Sequence, residues 1–151
     1  MSQNLSRVLG WERYWRPGTG FLFRIPETSV AELGATIRQR LRAPTLRIVG
    51  TPGLRITNVA LIPGAAGFPL HRQALQMPDV EVLVIGEARE WETVEYVADA
   101  ITAGEKKALI VIGHIPSEQV GMEEFGRWLG TFVNEVPISF VPAVDPFWLP
   151  K

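Results

Sequence analysis

The chain has 151 residues, of which 46% are apolar, a formal net charge of −1 and no cysteine. This length and apolar content are typical of one globular domain rather than a disordered chain. The near-neutral charge excludes a broad basic field that would attract nucleic acid or membrane, so neither partner is expected.

The sequence also limits the location and the kind of metal site. The first residues lack the apolar core of a signal peptide, and no apolar run approaches the roughly 20 residues of a membrane span. A soluble cytoplasmic protein is therefore the prediction. Because there are no thiolates, any metal would be held by nitrogen and oxygen ligands.

The first half of the chain predicts alternating strands and helices. Ser29 and Glu32 fit a capping box, in which each side chain binds the backbone amide of the other residue. The elements predicted here are a short helix within 1–20, a strand at 21–25 ended by Pro26, a helix from Ser29 to Pro44, strands at 45–49 and 56–62, and a helix at 68–76.

The second half continues the alternation. Strands are predicted at 80–85, 107–112 and 137–141, and helices at 90–102 and 119–133. Trp91, Phe125 and Trp128 stand at helical spacing and are expected in the core. The apolar tail at 146–150 is expected to dock onto the domain or onto a second subunit, which favours a homo-oligomer.

This order predicts a single α/β domain over residues 1–151, with a mostly parallel or mixed sheet flanked by helices. Crossover helices return the chain to the same end of the sheet, so successive strands pair in parallel. Three loops at strand carboxyl ends, 64–67, 86–87 and 113–118, are then expected to share one rim. Open α/β sheets bind ligands at this edge.

The candidate chemistry at this rim is a metal site. His114 and Glu118 follow a buried strand, and imidazole nitrogen and carboxylate oxygen both bind divalent metals. Glu118 is expected in the first helical turn, where the dipole keeps it ionised. Glu87 is the natural third group, as a ligand or as a general base. Alternatively, Glu118 only stabilises the helix, His114 binds a turn carbonyl and Glu87 is a solvated loop residue.

A glycine loop, a second histidine and an arginine cluster can each be explained by structure alone or by a function. The Gly64–Gly67 loop is either a tight strand-to-helix turn or a phosphate cradle, and it lacks the Lys-Ser/Thr of a P-loop. His71 is expected to be a surface or packing residue. The arginines at 38, 40, 42 and 47 form either the solvated end of a helix or an anion patch.

Four segments in this order resemble one protein family. They are Thr45-Leu-Arg-Ile-Val-Gly50, Val59-Ala-Leu-Ile-Pro-Gly64, Val84-Ile-Gly-Glu87 and Gly113-His-Ile-Pro-Ser-Glu118, followed by Gly121 and Asp145-Pro-Phe147. The chain thereby resembles the carboxyl-terminal half of the Nif-three-like family, also described as GTP cyclohydrolase type I-like homologues, from about Gly18 to Phe147.

The resemblance implies an α/β fold, a pair of divalent metals and ring-like oligomers. The family's Gly-His…Glu motif contributes metal ligands, which fall on His114 and Glu118, and its Gly-Glu falls on Gly86 and Glu87. The family's first half, with a His-His pair and a ligating aspartate, has no counterpart here, and Trp91 stands where members often carry a histidine. The usual dinuclear site is therefore not completed by this chain alone.

Two functions follow from the resemblance. In the first, His114 and Glu118 hold one zinc, iron or manganese ion, and a metal-bound water, with Glu87 nearby, attacks a small nucleotide-like substrate. In the second, the chain is a non-catalytic oligomeric scaffold that has lost the complete site. A separate polypeptide is an alternative source of the missing ligands, and a small-ligand sensor that uses the glycine loop is a third prediction.

Overall fold

The computed structural model describes residues 2–150. In chain order the elements are α1 (Ser2–Val8), a 3-10 helix (Glu12–Tyr14), β1 (Leu22–Ser29), α2 (Val30–Leu41), β2 (Arg47–Val49), β3 (Arg55–Ile62), α3 (Phe68–Leu75), β4 (Val82–Ile85), a π-helix (Glu90–Val94) that runs into α4 (Glu95–Thr102), β5 (Ala108–Val111) and α5 (His114–Leu129).

The strands form one five-stranded mixed sheet in the order β1-β3-β4-β5-β2. The central strands β3, β4 and β5 run parallel, and β1 and β2 pair antiparallel at the two edges. The predicted α/β fold with a mixed sheet flanked by helices is therefore confirmed. The parallel centre brings the ends of β3, β4 and β5 to one rim.

The core lies on both faces of this sheet. Val84 and Ile110 pack in a cluster with α1 and α2, whereas Leu83 and Leu109 pack in a second cluster with α3 and α4. All residues of β4 and β5 are buried, which explains why both strands read as unbroken apolar runs. None of the helices in residues 2–150 is both long and apolar enough to cross a bilayer.

Helix α2 begins at the predicted capping box. The Glu32 amide donates to Ser29 Oγ at 3.2 Å, and the Ser29 amide donates to Glu32 Oε2 at 2.9 Å. The hydrogen bond from the Ser29 backbone lowers the pKa of Glu32. The helix ends at Leu41, and Arg42 continues in the left-handed region at φ 49°.

Two strand predictions that involve proline are wrong. Pro26 does not end the first strand but lies inside β1, where the pairing register with β3 shifts between Arg24 and Thr28. An edge strand tolerates proline at such an irregularity because one amide there has no ladder partner. The strand predicted at 137–141 is not formed, and this segment between Pro137 and Pro142 is irregular.

The helix predicted at 90–102 begins as a π-helix, which changes the face that it buries. The wider turn shifts the helical phase, so Thr93 is buried whereas Trp91 is 74% exposed. The prediction that Trp91 lies in the core is therefore wrong. Phe125 and Trp128, also predicted in the core, are about half-exposed, because α5 turns Pro116, Ser117 and Gly121 toward the core instead.

Candidate functional site

The three loops predicted to share the rim are joined by hydrogen bonds. The Gly64 amide donates to Ser117 Oγ at 3.0 Å, and the Glu87 amide donates to the Gly64 carbonyl at 3.1 Å. The Gly113 amide donates to the Gly86 carbonyl at 2.8 Å. The loops after β3, β4 and β5 thus form one connected unit at the carboxyl end of the sheet.

Glycine allows these loops to approach so closely. A Cβ on Gly86 would lie 2.5 Å from the Gly64 amide nitrogen, and one on Gly64 would lie 2.3 Å from Glu118 Oε1. Gly64 also has φ +71°, a conformation that other residues rarely adopt. The loop therefore serves as a tight turn that admits the Glu118 carboxylate, and its Gly64 amide is already used by Ser117.

Helix α5 begins five residues before its predicted start at Gln119, directly at His114. Gly113 takes φ 107° before it, and Pro116 occupies the first turn, where the missing N–H removes no helical hydrogen bond. Glu118 consequently lies in the second turn, not in the first as predicted. His114 and Glu118 are at i and i+4 of one helix, a spacing that places side chains on the same face.

The His114 ring lies between two carboxylates. Its Nε2 is 2.8 Å from Glu118 Oε2, and its Nδ1 is 3.1 Å from Glu87 Oε2. Partial burial by itself lowers the pKa of His114, but hydrogen bonds to Glu87 and Glu118 and their negative charges raise it more, so the net shift is upward. All three side chains are partly open to solvent.

The chemistry of these donors suits a divalent cation, but their number is low. Glu87 and Glu118 contact different nitrogens of the ring, so in this arrangement one cation can take one nitrogen and one carboxylate oxygen. In residues 2–150 no group of three or more histidine, cysteine or acidic side chains is arranged to hold a metal ion. The described residues thus offer a pair of ligands, fewer than the three of a typical catalytic zinc site.

His71, which was expected at the surface or in packing, is completely buried in the wall of the rim cleft. Its Nδ1 lies 2.9 Å from Thr93 Oγ1, and its Nε2 has no hydrogen-bond partner among the described residues. Burial lowers the pKa of His71, and the nearby Glu92 charge offsets this only in part. No sequence pattern indicates this pair, because it depends on the phase of the π-helix.

The rim cleft has a volume of about 790 Å³ and extends beyond the His114 pair. Arg47, Arg89 and Asp145 also line it, and Asp145 Oδ2 is buried without a partner in the described part of the chain. In the sequence, Asp145 stands out only as part of a family motif. The cleft therefore combines both signs of charge around the imidazole of His114.

Comparison with known proteins identifies the family. The model of the Duf34/NIF3 (NGG1p interacting factor 3) family matches residues 1–146, and the chain belongs to this family. No curated protein matches the chain.

Several solved structures share the fold. The Staphylococcus aureus hypothetical protein SA1388 is 26% identical, with a TM-score of 0.64 over 85% of this chain and 42% of its own length. A Bacillus cereus protein related to NIF3 is 18% identical, with a TM-score of 0.65 over 85% of this chain and 35% of its own. The protein ybgI, of unknown function, is 18% identical, with a TM-score of 0.75 over 97% of this chain and 56% of its own length. The chain thus spans roughly a third to just over half of these proteins.

Proposed function

We propose that this chain is a divalent-metal-binding member of the family, in which His114 and Glu118 contribute ligands to one zinc, iron or manganese ion. The observation that carries the proposal is the His114 imidazole held between Glu118 and Glu87 at the rim of a parallel sheet. Metal-binding histidines commonly donate their second ring N–H to a carboxylate, which fixes the tautomer. Glu87, at Nδ1, is suited to that role.

We further propose that the metal-bound protein hydrolyses a small nucleotide-like substrate in the rim cleft. A divalent cation at His114 and Glu118 would supply charge stabilisation and lower the pKa of a water molecule. Glu87 is half-exposed beside the cleft and is suited to accept a proton from a nucleophilic water. Arg47 and Arg89 line the same cleft, and guanidinium groups bind phosphate oxygens well.

Metal analysis tests the ligand assignment. Purified protein is loaded with Zn²⁺ or Mn²⁺, dialysed and analysed for metal, and titrated by calorimetry. We expect His114→Ala and Glu118→Gln to lose bound metal. Glu123→Gln, which removes another acidic charge from α5, should retain it. Metal content unchanged by His114→Ala would remove this histidine from the site and with it the proposal.

A second measurement separates metal binding from catalysis. Under the proposal, a panel of nucleoside phosphates is hydrolysed with Mn²⁺ present, and Glu87→Gln keeps the metal but lowers kcat by about 10²–10⁴-fold, the usual contribution of a general base. Full activity in Glu87→Gln would exclude the base role. No hydrolysis of any compound by metal-loaded protein would count against the hydrolase but not against metal binding.

The alternative is a non-catalytic oligomeric scaffold. It is favoured by the small number of metal-ligand side chains in residues 2–150. On this alternative, purified protein carries no stoichiometric metal, and its mass in solution does not change with a chelator. A mass that falls on chelation would contradict it, because a scaffold held by apolar contacts does not need a cation.

A further inference from the structure

Two side chains of the rim cleft each have a buried polar atom without a hydrogen-bond partner among the described residues. These atoms are His71 Nε2 and Asp145 Oδ2, and both residues line the cleft. A polar atom that is removed from water without a partner lowers stability, and almost all buried polar groups in proteins are paired. A molecule in the cleft that pairs with both atoms therefore gains binding energy from them.

The contact between His71 and Thr93 decides what Nε2 offers to such a molecule. Thr93 Oγ1 lies 2.9 Å from His71 Nδ1 and makes no other hydrogen bond among the described residues. If Nδ1 carried the proton, both the Thr93 hydroxyl hydrogen and the Nε2 lone pair would be unpaired. If the Thr93 hydroxyl donates to Nδ1, only the Nε2–H is unpaired. The second tautomer is therefore favoured, and His71 presents a hydrogen-bond donor.

The surroundings of His71 favour an uncharged partner for this donor. Burial lowers the pKa of His71 and keeps the imidazole neutral, and the nearby Glu92 charge offsets this only in part. An anion at Nε2 would thus meet a neutral ring and a neighbouring carboxylate of like charge, which disfavours binding. A carbonyl oxygen or a ring nitrogen is the better acceptor here.

Asp145 presents the complementary group. Its Oδ1 accepts a hydrogen bond from the Phe147 amide at 3.1 Å, and its Oδ2 remains as an acceptor. The cleft therefore suits an occupant that carries both an acceptor and an N–H donor. Phe68 and Pro69 add apolar surface to the same cleft. A flat heteroaromatic ring combines these properties, because its face is apolar and its edge is polar.

We infer that His71 and Asp145 bind the heteroaromatic base of a nucleotide-like substrate. His71 Nε2–H donates to a ring nitrogen or carbonyl oxygen of the base, and Asp145 Oδ2 accepts from an amino or imino N–H. The inference rests on the proposed function only in taking the rim cleft as the substrate site. The cleft volume of about 790 Å³ lies within the roughly 300–1,000 Å³ of small-molecule sites, so a base, a sugar and a phosphate fit together.

His71 lies in the wall of the cleft rather than on its surface. The ring has no exposure to solvent, so the binding of a base requires a side chain of the wall to move. Glu92 is suited to this movement, because its charge acts on the His71 ring and its partner Arg89, 3.5 Å away, is 70% exposed. Ion pairs that are open to water are weak. Moving Glu92 aside therefore costs little.

Calorimetric titration of the full chain with nucleosides in the presence of a chelator tests the base site without metal. Adenosine, guanosine, cytidine and uridine are compared, and we expect at least one of them to bind. His71→Phe, which keeps a ring but removes the donor, should weaken binding about 10-fold, the usual effect of one lost hydrogen bond. His71→Gln, whose amide restores an N–H, should bind within about threefold of wild type.

A matched pair of variants tests the acceptor. Asp145→Asn removes the negative charge and one of the two acceptor oxygens, so it should weaken nucleoside binding by about 10-fold or more. Asp99→Asn, the same change at an exposed residue of α4 outside the cleft, should leave the affinity unchanged. Equal affinities of Asp145→Asn and Asp99→Asn would overturn the role of Asp145. Far-UV circular dichroism and thermal unfolding check that each variant is folded.

NMR of the imidazole nitrogens reads the His71 tautomer without a substitution at His71. The chain has two histidines, so the signals that remain in His114→Asn belong to His71. We expect the neutral Nε2–H tautomer above a pH of about 7, and a shift of the Nε2 resonance when the tightest-binding nucleoside is added. An Nδ1–H tautomer, or nucleoside binding that leaves this resonance unchanged, would overturn the inference even if the His71 variants do not fold.

Ribose 5-phosphate separates recognition of the base from recognition of the sugar and phosphate. It lacks a base, so His71→Phe should not change its affinity. A loss equal to that for the nucleoside would assign His71 to the sugar-phosphate and overturn the inference, as would the failure of every nucleoside to bind wild type. Protein that binds a nucleoside but no metal would contradict the proposed metal site and leave the base site intact.

Discussion

The two histidines illustrate how environment decides the chemistry of one residue type. His114 lies at the rim with a carboxylate at each nitrogen, and its pKa is raised by them. His71 is completely buried with a hydroxyl at one nitrogen, and burial lowers its pKa. The folded chain therefore favours the charged form of His114 and the neutral form of His71.

This contrast predicts opposite pH dependences of stability for metal-free protein. The pKa of histidine in the unfolded chain is about 6.5. The pKa of His71 is lower in the folded chain. Wild-type protein should therefore lose stability as the pH falls below about 6.5, and His71→Leu should lose less stability over the same range. The stabilisation from His114 is complete below a pH of about 6.5 and is lost as pH rises through its raised folded pKa. His114→Asn should therefore be less stable than wild type at a pH of about 5.5, but not at a pH of about 9.

Urea unfolding from about pH 5 to about pH 9 with a chelator measures both effects. Each variant is compared with wild type at every pH, so that contributions from other groups cancel in the difference. Parallel curves for wild type and His71→Leu would show that His71 titrates normally in the folded chain. A deficit in His114→Asn that grows toward high pH would contradict the assigned role of its two carboxylates.

At the scale of elements, the sequence predicts which strands and loops form the rim. It does not predict where the neighbouring helices begin or which of their residues face the core. The apolar runs predict β4 and β5 because both strands are fully buried. The alternation of strands with helices predicts the parallel centre because each crossover helix returns the chain to the same end of the sheet. Pro116 favours a loop in the sequence but lies in the first turn of α5, so the pattern did not reveal His114 and Glu118 as one helical pair. The π-helix at Glu90–Val94 could not be predicted, since π-helical turns are rare and an apolar helical pattern by itself predicts the ordinary α-helical repeat.

The rim loops give a prediction at the same scale. Gly86→Ala places a methyl group 2.5 Å from the Gly64 amide nitrogen and from Ser117 Oγ, and backbone cannot move aside without disturbing both neighbouring loops. We expect a loss of about 1–3 kcal/mol in unfolding free energy, as for other overpacked sites. Chemical denaturation at neutral pH measures the change.

Gly53→Ala is the matched control for this substitution. Gly53 is exposed in a turn outside the left-handed region, and a methyl group added there would have no neighbouring atom within 4 Å. The stability of this variant should be unchanged or increased by up to about 1 kcal/mol, because alanine reduces the entropy of the unfolded chain. Equal effects of the two substitutions would indicate that the close approach of the loops is not maintained in solution.

At the scale of the whole molecule, stability is expected to decrease from the centre of the sheet to its edges. Strand β4 is paired on both sides by parallel neighbours, and all four of its residues are buried between the two core clusters. Strand β2 has three residues, is paired only with β5 and is largely exposed. Local opening of β2 thus breaks few contacts, whereas opening β4 separates both core clusters.

Hydrogen exchange followed by mass spectrometry should resolve this order. We expect amides of β4 and β5 to exchange only through global unfolding, with protection equal to the unfolding free energy from denaturation. Amides of β2 should exchange faster through local opening, because its outer edge has no strand partner among the described residues. Exchange of β4 as rapid as that of β2 would mean that the parallel centre is not the most stable part of the fold. The strands that position the rim residues would then open locally, and a preorganised site at His114 would lose its structural support.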